Sequence, residues 1–324
     1  MEIGFVHIGM MKTASTYMQN VWMNEQNYSL SWRGNFELLE NLRNSVKKNK
    51  LNPDIKINIR TDMPYKQGEK IVISNEGFSS AFMNEPEHQK KIPQFIDLSS
   101  RVLGKIATIS PNLLIIVREP YSWIKSVYIQ AIKQGWSGTA QEFIDNQADL
   151  IVNGLDMRFI YKSYARFFRN IVVVPFELLK KNESDFWEVI SDKFNLPAIS
   201  VKISPLNESL ELEKVYILSR LNEISRFIVK ALKASKTYNF IQEKEKILGS
   251  VTNDGKWVNR RFLEHGTEEE INEIKNILNI RSVPESFLKF ILTNEQKEKI
   301  NNNYNLFLKT CSTNQDIITL YNMV

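Results

Sequence analysis

The segment from residue 7 to residue 17, HIGMMKTASTY, carries the residues of this chain that are best suited to bind an anion. It contains one lysine and three hydroxyl side chains, which are Lys12, Thr13, Ser15 and Thr16. A helix is expected to begin near Thr16, and the unpaired backbone N–H groups of a helix N-terminus attract negative charge. Lysine adds a mobile positive charge, and the hydroxyl groups add donors. The segment therefore predicts an anion-binding loop, with a capped helix and a surface lysine as the alternative.

This loop is related to the nucleoside-triphosphate P-loop without meeting its pattern. The pattern G-x-x-x-x-G-K-[ST] requires glycines six positions and one position before the lysine. Counted from Lys12, those positions hold Val6 and Met11, and the nearest glycine is Gly9. The sequence therefore favours a shorter phosphate-binding loop, and a P-loop kinase or NTPase stays open as an alternative.

A second candidate anion site follows the clearest buried strand of the chain, Leu113–Val117. Arg118 comes directly after this strand, Pro120 is suited to the first turn of a helix, and Ser126 lies eight residues beyond the arginine. A guanidinium fork matches the oxygens of a phosphate. The alternative for Arg118 is an ion pair with Glu119 or with another carboxylate.

The elements that hold these two segments alternate between strand and helix. Short apolar runs predict strands at 3–8, 71–74, 113–117 and 171–174. Helical patterns occur at 16–27, 36–47, 93–103, 120–134, from 139 onwards and at 158–169. This alternation favours an α/β fold with a central, mainly parallel sheet flanked by helices. Ligands of such sheets bind outside the carboxyl ends of the strands, so Lys12 and Arg118 are expected to flank one ligand with two anionic groups.

The chain is expected to form one continuous domain in two parts. Residues 1–210 contain the strand signals and form the predicted core, in which residues 28–70 are polar and irregular apart from the helix at 36–47. Residues 211–324 are expected to be a helical C-terminal extension packed on that core. Its predicted helices are at 210–233, 267–279 and 284–309.

The two anion-binding segments together resemble the cofactor-binding signatures of the PAPS-dependent sulfotransferases. HIGMMKTASTYMQ resembles the family's loop for the 5′-phosphosulfate, and REPYSWIKSVY resembles its segment for the 3′-phosphate. IVVVPFELL at 171–179 resembles a later strand of the family, and SPLNES at 204–209 resembles a stretch of bacterial polysaccharide sulfotransferases. Ala14 stands where the loop usually has glycine, Ser15 replaces a threonine and Glu119 replaces an aspartate. A glycine at position 14 would allow a backbone conformation that is costly for alanine.

The resemblance implies a P-loop-like three-layer fold and a reaction in which the sulfuryl group of PAPS (3′-phosphoadenylyl sulfate) passes to an acceptor hydroxyl, leaving PAP. Lys12 would stabilise the leaving 5′-phosphate, and no metal is required. The implied ligands of that phosphate are Thr13, Ala14, Ser15 and Thr16. Tyr17 would stack on adenine, and Arg118 and Ser126 would bind the 3′-phosphate. The expected acceptor is a glycan, such as a lipopolysaccharide or capsule sugar.

Glu76 is the expected catalytic base, because it follows the strand at 71–74 and resembles the catalytic glutamate of glycan and protein-tyrosine sulfotransferases. The alternative is a loop carboxylate that caps a helix or pairs with a lysine. His7 is the second candidate, although its place on the first strand favours a core histidine. His88 lies in an acidic turn and is expected to be an ordinary surface group.

Composition narrows the function classes. The 324 residues include a single cysteine, which cannot form an internal disulfide. They include three histidines, which are far apart in the sequence and leave few ligands for a zinc site. The net charge of +5 is spread along the chain without a basic stripe interleaved with aromatic residues, so nucleic-acid binding is not expected. Lys256, Arg260 and Arg261 are expected to form an ordinary surface cluster.

The sequence also bears on location and on a non-catalytic alternative. No apolar run approaches the ~20 residues of a membrane-spanning helix, and the N-terminus lacks the pattern of a signal peptide. A cytoplasmic protein without a transmembrane segment is therefore expected. A non-catalytic protein that binds PAP or an anionic glycan stays open as an alternative, against which Lys12 and Glu76 argue.

Overall fold

The computed structural model describes residues 2–82, 85–200, 210–234 and 255–311. The chain divides into two compact units. The first, here named the sheet unit, comprises Met1–Trp123, Gln147–Leu206 and Leu292–Val324. The second, named the helical unit, comprises Ile124–Asn146 and Asn207–Ile291.

Five parallel strands form one sheet in the order β2-β3-β1-β4-β5. The strands are β1 (Glu2–His7), β2 (Tyr28–Ser31), β3 (Lys70–Ser74), β4 (Asn112–Val117) and β5 (Asn170–Pro175). The two central strands, β1 and β4, are apolar runs that are buried beyond their first residues, as is typical of a parallel sheet covered on both faces. Helices flank this sheet, and the predicted α/β fold is confirmed.

Thirteen α-helices are found among the described residues. They are α1 (Ser15–Asn24), α2 (Phe36–Lys47), α3 (Ile92–Leu103), α4 (Pro120–Lys133), α5 (Ala140–Asn146), α6 (Ala148–Gly154), α7 (Met157–Ala165), α8 (Phe176–Lys181), α9 (Glu183–Phe194), α10 (Leu212–Ala234), α11 (Gly255–His265), α12 (Glu268–Ile277) and α13 (Asn294–Cys311). Helix α4 begins in the sheet unit and ends in the helical unit, whereas α13 belongs to the sheet unit and contacts α6 and α7. In the part of the chain that the structure describes, no helix combines the length and the hydropathy needed to cross a membrane.

An aromatic cluster fixes α1 against the sheet. The ring of Phe5 in β1 lies 5.5 Å from the ring of Trp22 in α1 and 5.3 Å from the ring of Phe194 in α9. Trp22 also meets Trp187 of α9 edge to face, at 6.0 Å. Buried aromatic pairs of this kind add to the stability that area burial gives. They hold α1 against the sheet.

Two predictions of secondary structure are wrong. Residues 28–31 form an edge strand, although the region 28–70 was expected to be irregular apart from α2. Its sequence, YSLS, is short and half serine, yet all four residues are buried against the neighbouring strand β3. The helix expected at 284–309 begins only at Asn294, because Thr293 and Gln296 form a reciprocal cap in which each backbone N–H donates to the other side chain.

The strand order places a crevice at the carboxyl ends of β1 and β4. The chain leaves β1 towards β2 on one side of the sheet and leaves β4 towards β5 on the other. His7 at the end of β1 is in register with Ser74 at the end of β3 and with Leu114 in β4. The segments that follow β1, β3 and β4 therefore meet at one edge, at the switch point where parallel α/β sheets bind ligands.

Candidate functional site

The loop between β1 and α1 is held against the sheet by hydrogen bonds. The Met10 N–H donates to the carbonyl of Ile116 at 2.9 Å, and the indole N–H of Trp123 donates to the carbonyl of Met11 at 3.0 Å. The hydroxyl of Thr13 donates to the carbonyl of Met10 at 2.5 Å. The loop is therefore shaped by its own contacts, and the Thr13 hydroxyl proton is already used inside it.

Two residues of this loop that are not glycine have a left-handed backbone. Lys12 has a φ of 63°, and Ala14 has a φ of 60° and a ψ of 28°. This conformation is costly for a residue with a Cβ atom, whereas glycine adopts it readily. The loop thus keeps a strained backbone at the position where the sulfotransferase loop usually has glycine, and such strain is common at functional sites.

The first turn of α1 is open to an anion. Its N-cap residue, Ala14, makes no side-chain hydrogen bond to the first-turn N–H groups. Thr16 is exposed, whereas the hydroxyl of Ser15 is buried and has no hydrogen-bond partner of regular geometry among the described residues. Unpaired N–H groups together with the positive end of the helix dipole favour negative charge at this turn.

The ring of Tyr17 is oriented by a contact to α9. Its hydroxyl donates to the carboxylate of Glu183, which also accepts from the indole N–H of Trp187 at 3.0 Å. Burial and the neighbouring Glu183 carboxylate raise the pKa of Tyr17, so the hydroxyl stays protonated. Tyr17 is thus fixed at its distal end, and only its ring is available for stacking.

Arg118 is joined directly to the loop after β1. Its Nη1 donates to the Lys12 carbonyl at 2.8 Å, and its Nε donates to the hydroxyl of Ser122 at 3.0 Å. The guanidinium also lies 5.0 Å from the ring centroid of Phe176 at the start of α8. The sequence places Lys12 and Arg118 far apart, and the structure brings them together as predicted.

Glu119 acts as the N-cap of α4. Its carboxylate accepts from the N–H groups of Tyr121 and Ser122, at 2.8 and 2.6 Å. This is the usual geometry of a capping side chain, which satisfies otherwise unpaired donors of the first turn. The Glu119 N–H in turn donates to the carboxylate of Glu177, at 3.1 Å. The alternative in which Glu119 serves mainly as the ion-pair partner of Arg118 is therefore not supported.

Glu76 lies in a turn that is tied to the same loop. The N–H of Asn75 donates to the carbonyl of His7 at 3.1 Å, and the hydroxyl of Ser79 donates to the carbonyl of Gly9 at 2.9 Å. These two bonds fasten the turn at Glu76 to the start of the loop that leaves β1. The carboxyl group therefore belongs to the same edge of the sheet as Lys12 and Arg118.

The electrostatic surroundings of Glu76 link it to the loop. Burial raises the pKa of its carboxyl group above the ordinary value of 4.5, and the hydroxyl of Ser15 and the ammonium of Lys12 act in the opposite direction. Lys12 and Ser15 thus lie close enough to stabilise the ionised carboxylate in part. A raised pKa makes this carboxyl group a better proton acceptor than an ordinary glutamate.

His7 is a core histidine. It is fully buried, its Nδ1 lies 2.8 Å from the hydroxyl of Ser74, and its Nε2 has no partner among the described residues. Burial lowers the pKa of His7 to about 3, so the ring is neutral. A Cβ atom on Gly9 would lie 2.7 Å from Nε2, so glycine lets the loop pass over the ring. This environment supports a structural role and leaves Glu76 as the better candidate base.

The remaining predicted site residues fall in other regions. Ser126 is half-buried in the part of α4 that belongs to the helical unit. In that unit Arg260 donates to Glu264 within α11, at 2.7 Å, as expected of an ordinary cluster. The stretch at 204–209 that resembles polysaccharide sulfotransferases lies outside the described residues, as does the segment that precedes α11.

Several neighbours of Arg118 carry no clear signal in the sequence. The hydroxyl of Tyr304 in α13 donates to the Arg118 carbonyl at 2.6 Å. The ammonium of Lys180 lies 4.9 Å from the centroid of the Phe176 ring, which Arg118 also contacts. Ser122 could have been noticed, because a residue four positions after Arg118 lies in the first turn of the helix that Pro120 begins. The contact with Tyr304 depends on tertiary packing alone.

One group of three side chains among the described residues has ligand atoms close enough for a metal ion, namely Glu85, Glu87 and His88. Glu85 already forms ion pairs with Arg43 and Lys47, which lower the pKa of its carboxyl group although burial opposes them. Its negative charge is compensated by these cations. The group therefore supports a structural ion-pair network.

Comparison of the chain with models of protein families and with curated proteins finds no match. Any inference about function therefore depends on the fold and on the three segments that follow β1, β3 and β4.

Proposed function

We propose that this protein transfers the sulfuryl group of PAPS to a hydroxyl group of a glycan acceptor and releases PAP. The observation that carries the proposal is the convergence of Lys12, Glu76 and Arg118 after three neighbouring parallel strands. Arg118 donates to the Lys12 carbonyl, and Lys12 affects the pKa of Glu76, so the three residues share one edge of the sheet. A loop cation, an arginine fork and a carboxyl group are the parts that such a transfer needs.

The phosphates of the nucleotide would be bound by the two segments in different ways. The open first turn of α1, with Thr16, would bind the 5′-phosphate through N–H and hydroxyl donors. Arg118 would bind the 3′-phosphate, and the ring of Tyr17 would stack on adenine. Thr13 contributes by shaping the loop, since its hydroxyl proton goes to the Met10 carbonyl.

Each bond, proton and charge of the transfer step can be assigned to the substrates, Glu76 or Lys12. The acceptor oxygen forms a bond to sulfur while the bond between sulfur and the bridging oxygen of the 5′-phosphate breaks. Glu76 takes the proton of the acceptor hydroxyl, and Lys12 stabilises the negative charge that develops on the leaving phosphate. Positioning and charge stabilisation supply the catalysis, as in phosphoryl transfer. A cytoplasmic location and the absence of a role in nucleic-acid binding belong to the same proposal.

Release of PAP from PAPS in the presence of a panel of bacterial surface glycans tests the proposal. Glu76→Gln keeps the shape of the side chain but removes the base, so transfer should fall by a factor on the order of 100 or more while PAP still binds. Glu188→Gln, an exposed change in α9, is the matched control and should leave transfer unchanged. Equal turnover in the Glu76→Gln variant and the wild type would rule out Glu76 as the base.

The pH dependence gives an independent check on Glu76. The base must be ionised, so transfer should increase with pH through the raised pKa of Glu76. Because the folded protein holds this proton more tightly than the unfolded chain does, Glu76 stabilises the fold below its ordinary pKa of 4.5, and this contribution is lost as the pH rises through the folded pKa. Urea unfolding should therefore show that Glu76→Gln gains stability relative to the wild type as the pH rises above the ordinary pKa of 4.5. A constant difference would contradict the assigned environment.

A further inference from the structure

A polar groove of about 690 Å³ lies between α2 and the irregular segment that follows it in the sheet unit. Four cationic side chains line it, namely Lys48, Lys50, Lys56 and Arg60. All four are exposed, and no carboxylate of a described residue lies within ion-pair distance of any of them. Glu37 is the single acidic residue of the lining, which leaves a local net charge of 4 − 1 = +3.

Specific hydrogen bonds and one close backbone approach hold the segment that forms one side of the groove. The carboxylate of Asp62 accepts from the N–H groups of Trp32 and Gly34, at 3.0 and 3.2 Å, and the Asp62 N–H donates to the carbonyl of Leu30 at 2.7 Å. A Cβ atom on Gly34 would lie 1.9 Å from the carbonyl oxygen of Arg60, so only glycine permits this approach. These contacts press one end of the segment onto the chain that leads into α2 and so define the groove.

The chemistry of the remaining lining limits the kind of ligand. It consists of Gly34, three aliphatic side chains and four amide or hydroxyl side chains, the last being Asn41, Asn44, Ser45 and Asn58. Amides and hydroxyls can donate to and accept from the hydroxyl groups of a sugar. No aromatic residue lines the groove, whereas single-stranded nucleic acids are usually held by stacking on aromatic rings. A ligand with many hydroxyl groups and several anionic groups fits this lining best.

We propose that the groove binds an anionic oligosaccharide. The four cations pair with the carboxylates of uronic acid units, and the amides and Ser45 bond the sugar hydroxyls. The groove is open along α2, so it accommodates a segment of a chain rather than a single small molecule.

The groove is connected to the candidate active site through α2. Leu39 of α2 lies about 200° around the helix from Glu37, which lines the groove. Leu39 packs so closely against Gly77 that a Cβ atom added to Gly77 would lie 2.6 Å from a Leu39 methyl group. Asn35, next to Gly34, accepts from the amide of Asn75 at 2.8 Å. One helix thus supports both the groove and the Glu76 turn. The use of the groove as an anchor for the acceptor chain rests on the proposed function, whereas its binding of anionic oligosaccharides does not.

Fluorescence anisotropy with a labelled oligogalacturonate hexasaccharide tests the groove. The wild type should bind this probe at low salt and lose affinity as salt increases, because exposed charges are screened. The double variant Lys48→Glu, Lys56→Glu should bind about tenfold or more weakly. Lys193→Glu reverses the charge of an exposed lysine elsewhere in the sheet unit and should bind as the wild type does.

Further measurements keep the outcomes distinct. Neutral maltohexaose should bind weakly, and a six-nucleotide oligothymidylate should bind less tightly than the oligogalacturonate. The proposal is overturned if the wild type does not bind the oligogalacturonate, or if the oligothymidylate binds more tightly than the oligogalacturonate. It is also overturned if the control Lys193→Glu loses as much affinity as the double variant Lys48→Glu, Lys56→Glu. The milder Lys48→Gln, Lys56→Gln pair should give a smaller loss, which guards against a folding defect. PAP affinity measured on the same variants should not change, so a failure of the groove is separable from a failure of the proposed function.

Discussion

The two segments that we propose to bind anions follow neighbouring parallel strands, and their helix N-termini differ. After β1, the loop has a left-handed backbone at Lys12 and Ala14, and the first turn of α1 has no side-chain cap. After β4, the carboxylate of Glu119 already occupies the first turn of α4. A helix N-terminus that is filled by a carboxylate does not attract a second anion. In the proposed function, the first segment therefore binds an anion through the backbone, whereas the second depends on the side chain of Arg118.

The side chain of Arg118 is held in one orientation by its neighbours. Its Nε and Nη1 are oriented by Ser122 and by the Lys12 carbonyl, and Phe176 lies against its guanidinium. Such pre-orientation suits the phosphate-binding role that we propose for Arg118, because fewer rotamers are lost on binding. Lys12, in contrast, lies on a strained backbone next to the uncapped first turn of α1.

The largest expected effect comes from the loop after β1. Lys12→Ala removes the charge that would stabilise the leaving phosphate, so the rate of sulfuryl transfer should fall by a factor on the order of 100 to 1000. PAP affinity should change much less, since the N–H groups of α1 remain. Lys193→Ala is the matched control. Loss of PAP affinity as large as the loss of rate would show that Lys12 serves binding alone and would weaken the contrast between the segments.

The next effect comes from the segment after β4. Arg118→Lys keeps the charge and removes the fork, so PAP affinity should fall about tenfold or more, while affinity for 5′-AMP, which lacks the 3′-phosphate, should stay within about twofold. Calorimetric titration of both nucleotides measures this, with Arg169→Lys as a control at an exposed position. Equal losses for the two nucleotides would mean that Arg118 does not distinguish the 3′-phosphate.

Removal of the carboxylate cap should affect stability more than binding. Glu119→Ala leaves two N–H groups of α4 without their acceptor, so the free energy of unfolding should decrease by about 1 kcal/mol. Urea unfolding measures the change. An unaltered unfolding free energy would show that the cap does not stabilise α4, and the second segment would then resemble the first more closely.

The smallest effect tests the strained backbone. Ala14→Gly relieves a left-handed conformation that costs alanine about 1–2 kcal/mol, less about 0.4–1 kcal/mol for the extra freedom of the unfolded chain. The free energy of unfolding of this variant should therefore be about 0.5–1 kcal/mol higher than that of the wild type. Ala131→Gly, within α4, should shift in the other direction by about 1 kcal/mol. Destabilisation by both glycines would show that Ala14 is not strained.

Much of the sheet could be predicted because its central strands are continuous apolar runs. Leu113–Val117 could be read directly, and α2 was expected with the bounds that the structure has. Edge strand β2 was missed because its signal is too short, and the start of α13 was misplaced because a polar cap outweighed the helical pattern before it. Helices α8 and α9 are not predicted by the patterns above.

The convergence of the site could be predicted from topology, whereas its details could not. Parallel strands bring their carboxyl ends to one edge, which is sufficient to unite Lys12, Glu76 and Arg118. The sequence does not show that the Thr13 hydroxyl turns back to Met10 or that Glu119 caps α4, because both depend on local backbone geometry. The roles of these residues in transfer stay predictions.

Calorimetric titration of the wild-type protein with PAP, 5′-AMP and ATP–Mg²⁺ tests the central claim most directly. Two anion sites at one edge, one of them an arginine fork for a 3′-phosphate, predict that PAP binds at least about tenfold more tightly than 5′-AMP and more tightly than ATP–Mg²⁺. Tighter binding of ATP–Mg²⁺, or equal binding of PAP and 5′-AMP, would contradict the account and favour a nucleoside-triphosphate enzyme.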